Sequence, residues 1–242
     1  DLKLTADGTF SFSGEAGETP EFYRLRISDL IINIAIDSTE TVTVKASYPT
    51  MMTQYVVSGS VNCQKIKELA LKQIDLQQRS INVQRSMALN AATDSINNMV
   101  QAYKEDVCNN YIYKERNAPY SCFALFQTLG NIFIFNPQMD LGDVKAFNAV
   151  ATSWDINYPD AMRTKNLHNI AINGMKTKRI VEYNNQQVVD ASKVETAGLI
   201  DFELTDNKGQ ARRLSSLKGK VVLLDFHVFG MDDSPKRILA LR

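Results

Sequence analysis

The sequence predicts an α+β protein with an antiparallel β domain at residues 1–60, a helical region at 61–190 and a short mixed segment at 191–242. Three observations lead to this prediction. Apolar residues alternate with period two in the first part and recur at helical spacing in the second. In the third part, a turn sequence is followed by a short continuous apolar run, which is typical of a hairpin and a buried strand.

Short strands are predicted throughout the first domain. Each is an alternating or β-branched run, and turn residues at 14–20 and 37–40 separate them. The predicted strands are residues 8–13, 22–27, 31–36, 41–45 and 54–57. Strands that recur at about ten-residue spacing favour an antiparallel sandwich or half-barrel.

Helical periodicity begins at Val61, where apolar residues start to recur three and four positions apart. The stripe of the first helix consists of Ile66, Leu69, Ala70 and Ile74. The stripe of the second consists of Ile96, Met99, Val100, Tyr103, Val107 and Tyr111. Residues 90–93 are the predicted turn between these two helices.

Three further helices complete the predicted bundle. The third runs from Tyr120 to a stop near Gly130. Asp140 and Asp143 form an acidic N-terminal cap for the fourth, which carries Trp154. The fifth restarts after Pro159 and continues towards Val189.

Composition excludes several classes of partner and cofactor. Of the 242 residues, 27 are Lys or Arg and 27 are Asp or Glu, so no bulk field favours nucleic acid, and we expect no nucleic-acid partner. No apolar run reaches about 18 residues, so no transmembrane segment is expected. Cys63, Cys108 and Cys122 are too few and too widely spaced for a disulfide framework or a zinc cluster. We expect no metal, since neither the cysteines nor the histidines have metal-ligand spacing, and no cofactor, since the sequence contains no glycine-rich phosphate loop.

The final segment contains the most specific motifs. It reads Phe-x-Leu-x-Asp-x-x-Gly from Phe202, then Leu-x-x-Leu-Lys-Gly-Lys from Leu214, then a predicted apolar strand at 220–227. This order resembles the opening of a redoxin-type thioredoxin-like domain, as found in envelope thiol–disulfide oxidoreductases. Residues 36–42, 55–60 and 154–159 resemble a region of unknown function that precedes such domains in Gram-negative envelope proteins.

The resemblance carries several implications. The C-terminal segment would be the start of a thioredoxin-like α/β domain, and its groove would hold a polypeptide partner. The location would be the cell envelope or periplasm of a Gram-negative bacterium, with or without a lipid anchor. The tail after Ile200 is shorter than the roughly 100 residues of a typical domain, so we expect the sequence to be a piece of a longer protein.

The family's two cysteine positions fall on Met231 and Ser234, and its buried acid maps onto Asp225. The family's chemistry needs a thiolate at the N-terminus of a helix, which neither Met nor Ser provides. We therefore expect no catalytic residue in this chain. Asp225 is interpreted as a strand-end carboxylate without a catalytic role.

Other side chains favour structural interpretations. His168 and His227 share no metal-ligand spacing, and Asp232 with Asp233 is typical of a solvated acidic turn. Cys122 lies among phenylalanines, which indicates a buried, inert thiol.

Three classes of function remain open from the sequence. The first is a binding or scaffold protein that keeps the thioredoxin-like shape without the thiols. The second is a thiol–disulfide oxidoreductase whose reactive cysteine lies beyond Arg242 or is one of the three present. The third is a structural stalk that holds the last domain away from a membrane anchor.

Overall fold

A computed structural model describes residues 3–15, 17–186 and 201–223. The chain divides into two compact units, Asp1–Gln186 and Gln187–Arg242. Helices account for 50% and strands for 16% of the structure, which confirms the α+β prediction. No helix in the described ranges combines the length and the apolarity needed to cross a membrane.

Four strands open the first unit: β1 (Glu21–Ile27), β2 (Leu30–Ile36), β3 (Thr43–Ala46) and β4 (Tyr55–Ser58). They form two separate two-stranded antiparallel sheets, β1–β2 and β3–β4. Both sheets contribute to one apolar cluster, formed by Ile32, Met51, Tyr55, Val57 and Cys63. The strands predicted at 22–27, 31–36, 41–45 and 54–57 are thus confirmed within a residue or two.

The prediction of a strand at residues 8–13 is wrong. These residues have no regular secondary structure, and all of their side chains are exposed. Alternating sequence is insufficient here because a strand is stable only when a neighbour pairs with its backbone and one of its faces is buried.

Two long helices follow, α1 (Val61–Ser86) and α2 (Leu89–Val107). The hydroxyl of Ser60 accepts a hydrogen bond from the backbone N–H of Cys63 at 3.2 Å and so caps α1. The break between the helices lies at Met87 and Ala88, so the turn predicted at 90–93 is wrong. Ala91 and Ala92 are strong helix formers, and they keep that stretch inside the first turns of α2.

The remaining elements of the first unit are shorter, except for the last helix. α2 continues through a π-helical turn at Cys108–Ile112 into a loop, which is followed by α3 (Pro119–Leu125) and a small hairpin, β5 (Thr128–Leu129) with β6 (Ile132–Phe133). The prediction of a helix up to Gly130 is therefore wrong in its second half. Gly130 has a φ of +59°, which suits the tight turn between these two strands. α4 (Val144–Asn157) and α5 (Met162–Gln186) complete the unit and pack on each other.

The main core lies among the helices and includes one residue of the sheet. Trp154, Phe147 and Phe135 are its largest side chains and are almost completely buried, together with Ile66 and Leu69 of α1. Ala35 of β2 belongs to the same cluster. Each fully buried large apolar side chain contributes about 1.5–3 kcal/mol, so the helices supply most of the core energy. Ala35 connects β2 to this core, and β2 packs on α1.

The second unit contains a hairpin of β7 (Glu203–Thr205) and β8 (Ala211–Arg213). The carboxylate of Asp206 accepts backbone hydrogen bonds from Lys208 and Gln210, both at 2.9 Å, and closes the turn as predicted. Of the predicted strand at 220–227, residues 221–223 have no regular structure, and Val221 is fully exposed within its unit. Residues 224–227 lie outside the described ranges.

Candidate functional site

The sequence-predicted site residues Asp225, Met231 and Ser234 all lie outside the described ranges, as do His227, Asp232 and Asp233. The described chemistry is therefore that of the first unit and of the hairpin at 203–213. Within these ranges, no group of three His, Cys, Asp or Glu side chains is arranged to hold a metal ion.

The most concentrated charge cluster in the described chain is centred on Lys104. Its ammonium group donates to Asp140 at 2.7 Å and to Asp143 at 2.8 Å. Lys104 is 8% exposed and Asp143 is 4% exposed, so this ion pair is buried. The other Asp143 partner is the backbone N–H of Asn136, at 2.7 Å. The cluster connects α2 to the loop that leads into α4.

Burial and pairing act on the three ionisable groups in different directions. Burial alone lowers the pKa of Lys104, but its hydrogen bonds to the two aspartates outweigh this effect and raise the pKa above its ordinary value. The bond from Lys104 lowers the pKa of Asp140, which is partly exposed. For Asp143, burial outweighs the attraction of the lysine and raises the pKa of the carboxyl group. Asp140 is therefore the more firmly ionised of the two.

A cavity of about 270 Å³ lies beside this ion pair and is lined by Cys108 and Phe135, among others. The Lys104 ammonium lies 5.8 Å from the centre of the Phe135 ring. Both aspartates bond the ammonium group of Lys104, so each charge of the cluster has a partner, as a buried ion pair requires. The cluster therefore has a structural role, because it connects α2 to the start of α4.

A second buried polar group forms around Gln127. Its side-chain oxygen accepts from the Tyr103 hydroxyl at 2.6 Å, and its amide donates to the backbone carbonyl of Leu69 at 2.9 Å. Burial raises the pKa of Tyr103 well above its ordinary value. These bonds connect α1 and α2 to Gln127, two residues after the end of α3, and the Tyr103 hydroxyl donates its hydrogen bond within the protein.

The three thiols are free. Cys63 and Cys122 are buried, whereas Cys108 is half-buried. The Cys63 thiol donates to the carbonyl of Ala35 at 3.0 Å. Burial raises the pKa of all three thiols, and for Cys122 to about 12. The predicted burial of Cys122 is confirmed, and a raised pKa suppresses the thiolate form that reacts.

His168 lies on the exposed part of α5, and its Nδ1 is 3.0 Å from a carboxylate oxygen of Asp155. Both side chains are about half exposed. This is a surface pair, in agreement with the structural interpretation of His168 made from the sequence.

A larger groove lies between the β3–β4 hairpin and α1. It has a volume of about 500 Å³. Its lining includes Lys45, Ser47, Gln54, Tyr55, Val56 and Lys67. We call it the hairpin groove.

Sequence reasoning missed the Lys104 cluster and the hairpin groove. Asp140 and Asp143 were predicted to cap the fourth helix, and Asp140 does accept from the N–H of Gly142 at 2.9 Å, but Asp143 instead faces Lys104 and Asn136. One signal was present: Lys104 lies within the apolar stripe of α2, one position after Tyr103 and three before Val107. A lysine on the buried face of a helix needs an acidic partner, because burying an unpaired charge costs free energy.

No known protein family, no curated protein and no solved structure matches this chain.

Proposed function

We propose that this chain belongs to a cell-envelope protein with a binding or scaffold role and that the chain itself contains no redox-active cysteine. The observation that carries this proposal is the state of the thiols. The chain has three cysteines, and the pKa of each is raised by burial, so none favours the thiolate form at neutral pH. The positions where the resemblance places reactive cysteines hold Met231 and Ser234.

Two other parts of the proposal depend on the resemblance to redoxin-type proteins. They are a thioredoxin-like fold for the C-terminal segment and an envelope or periplasmic location. The sandwich or half-barrel arrangement proposed for the N-terminal strands depends instead on the regular spacing of those strands in the sequence. The hairpin at 203–213 supports the thioredoxin-like fold because it lies where the motif Phe-x-Leu-x-Asp-x-x-Gly requires a turn. A polypeptide-binding role suits a fold of this kind, since a groove retains its shape when the cysteines are lost.

The test is a disulfide-reduction assay on the chain 1–242, with dithiothreitol as reductant and insulin as substrate. We expect the rate to equal that of dithiothreitol alone, whereas a Cys-x-x-Cys oxidoreductase included as a positive control accelerates the reaction. A rate above the background that is lost in Cys108→Ser would overturn the proposal.

Alkylation kinetics provide a second measurement on the same protein. With iodoacetamide at neutral pH, we expect all three cysteines of the native chain to react more slowly than free cysteine, with Cys108 the fastest because it is the only half-buried thiol. A cysteine that reacts faster than free cysteine would reveal an activated thiolate and would contradict the proposal.

A further inference from the structure

The hairpin groove differs from its surroundings in its uncompensated positive charge. Lys45 makes no ion pair, and Lys67 has only a ring contact, 5.1 Å from the centre of Tyr55, in the described part of the chain. Neighbouring lysines of α1 are neutralised: Lys65 pairs with Glu68 at 2.9 Å and Lys72 with Asp106 at 2.8 Å. The two lysines in the groove therefore give it a local positive potential in a chain with no net charge.

The rest of the lining combines polar and apolar contacts. Ser47 and Gln54 carry side-chain hydrogen-bonding groups, while Val56 provides apolar surface; Tyr55 is buried in the core beneath Lys67. Val56 is 61% exposed although it lies in a strand, and it pairs in register with Lys45 across the sheet. The groove thus presents charge, hydrogen-bonding groups and apolar surface within about 500 Å³.

The sheet beside the groove ends after two strands. In the described structure β3 pairs only with β4, so each of these strands has one edge without a strand partner. Such an edge offers backbone N–H and C=O groups to an extended chain, and side-chain contacts next to it then select the sequence. A small anion would use the lysines alone and leave the edge and the apolar surface unused.

We infer that the hairpin groove binds an acidic segment of a polypeptide in extended conformation. The inference rests on the proposed binding function and assigns it a site in the first unit. Lys45 and Lys67 would contact carboxylates of the bound segment, and Val56 would contact one of its apolar side chains.

The test uses the full chain and fluorescein-labelled octapeptides of alternating Glu and Val, with Lys–Val and Gln–Val peptides of equal length as controls. We expect fluorescence anisotropy to detect binding of the Glu–Val peptide only, and the affinity to fall as salt is raised. The double variant Lys45→Glu/Lys67→Glu should weaken binding about tenfold or more, since each lysine loses an attraction and gains a repulsion. The variant Lys45→Gln/Lys67→Gln should weaken it by a smaller factor.

The matched control is Lys165→Glu/Lys176→Glu, which makes the same charge change on α5, where neither lysine has an ion pair in the described structure. This control should bind as the wild type does, and thermal melts should show that all variants are folded. Equal weakening in the control and groove variants, absence of binding to the wild type, or equal binding of the Gln–Val peptide would each overturn the inference. None of these outcomes bears on the disulfide-reduction assay, so failure of the groove and failure of the proposed function are distinguishable.

Discussion

At the scale of single residues, Gly59 occupies the most constrained position in the first unit. It joins β4 to the cap of α1, has a φ of +90°, and a Cβ atom built there would lie 2.0 Å from the carbonyl oxygen of Thr41. No side chain fits at that distance without movement of the backbone. The residue therefore allows the β4–α1 junction to approach the segment before β3.

We predict that Gly59→Ala destabilises the protein by about 2 kcal/mol or more, because it combines a steric clash with a left-handed backbone. Gly8→Ala is the matched control, since Gly8 has a φ of +76° but a Cβ atom there would meet nothing within 4 Å. It should cost only about 1 kcal/mol. Urea unfolding of both variants measures the difference, and equal losses would show that the Thr41 contact is unimportant.

Lys104 is the second residue for which the structure makes a sharp prediction. Lys104→Met leaves the Asp143 carboxylate buried without its cation, and we expect a loss of about 3–5 kcal/mol in the free energy of unfolding. Lys72→Met removes an exposed partner of Asp106 and should cost less than about 1 kcal/mol. If both variants lose the same free energy of unfolding, the buried ion pair stabilises the fold no more than the exposed one does.

The same ion pair predicts a pH dependence. Because the pKa of Lys104 is raised in the folded protein, its stabilising effect is fully present below its ordinary pKa of 10.5 and is lost as the pH rises through the folded value. The stability advantage of the wild type over Lys104→Met should therefore be constant from neutral pH to about pH 10 and decrease above it. Urea unfolding at a series of pH values measures this advantage, and a decrease that begins near neutrality would contradict the assignment.

At the scale of elements, α5 is positioned by close contact with the loop before α4. A Cβ atom at Gly174 would lie 2.7 Å from the Cβ of Pro137 and 3.2 Å from its carbonyl oxygen. Glycine is normally unfavourable inside a helix by about 1 kcal/mol relative to alanine. Its presence in α5 is explained by this contact.

We predict that Gly174→Ala destabilises the protein by about 1–3 kcal/mol, because overpacking outweighs the gain in helix propensity. Asn173→Ala is the control, since its side chain is exposed on the same helix and alanine there should be neutral or slightly stabilising. Thermal melts followed by circular dichroism measure both changes. If Gly174→Ala stabilises the protein, the close contact between α5 and Pro137 does not require glycine at this position.

At the scale of the whole molecule, the division at residue 187 predicts independent folding of the first unit. Both of its described buried clusters lie entirely within this unit: the main one includes residues from Ala35 to Ala171, and the smaller one includes residues from Ile32 to Cys63. We expect a chain that ends at Gln186 to retain the helical circular dichroism of the first unit and to unfold in a single transition. Loss of the helical signal in this shortened chain would show that the two-unit division is wrong.

The helices and hairpins could be predicted from the sequence to the extent that their signals are local. The stripe of Ile66 and Leu69, the alternation in 31–36 and the turn at Asp206 each lie within a short window and are set by backbone geometry. The secondary-structure prediction failed where a segment's structure depends on a distant partner segment. Residues 8–13 alternate but have no partner strand in the described structure, and the chain after Leu125 forms a small hairpin in place of more helix.

The sequence by itself determined the mixed class, most of the element positions and the absence of cysteines at Met231 and Ser234. Only the tertiary structure decided that Lys104 pairs with Asp140 and Asp143, which are 36 and 39 residues away. It also decided that residues of β3, β4 and α1 meet in one groove with two uncompensated lysines. The physical reason is that helix and turn formation depend on neighbouring residues, whereas ion pairs and grooves depend on which distant segments the packing of the core brings together.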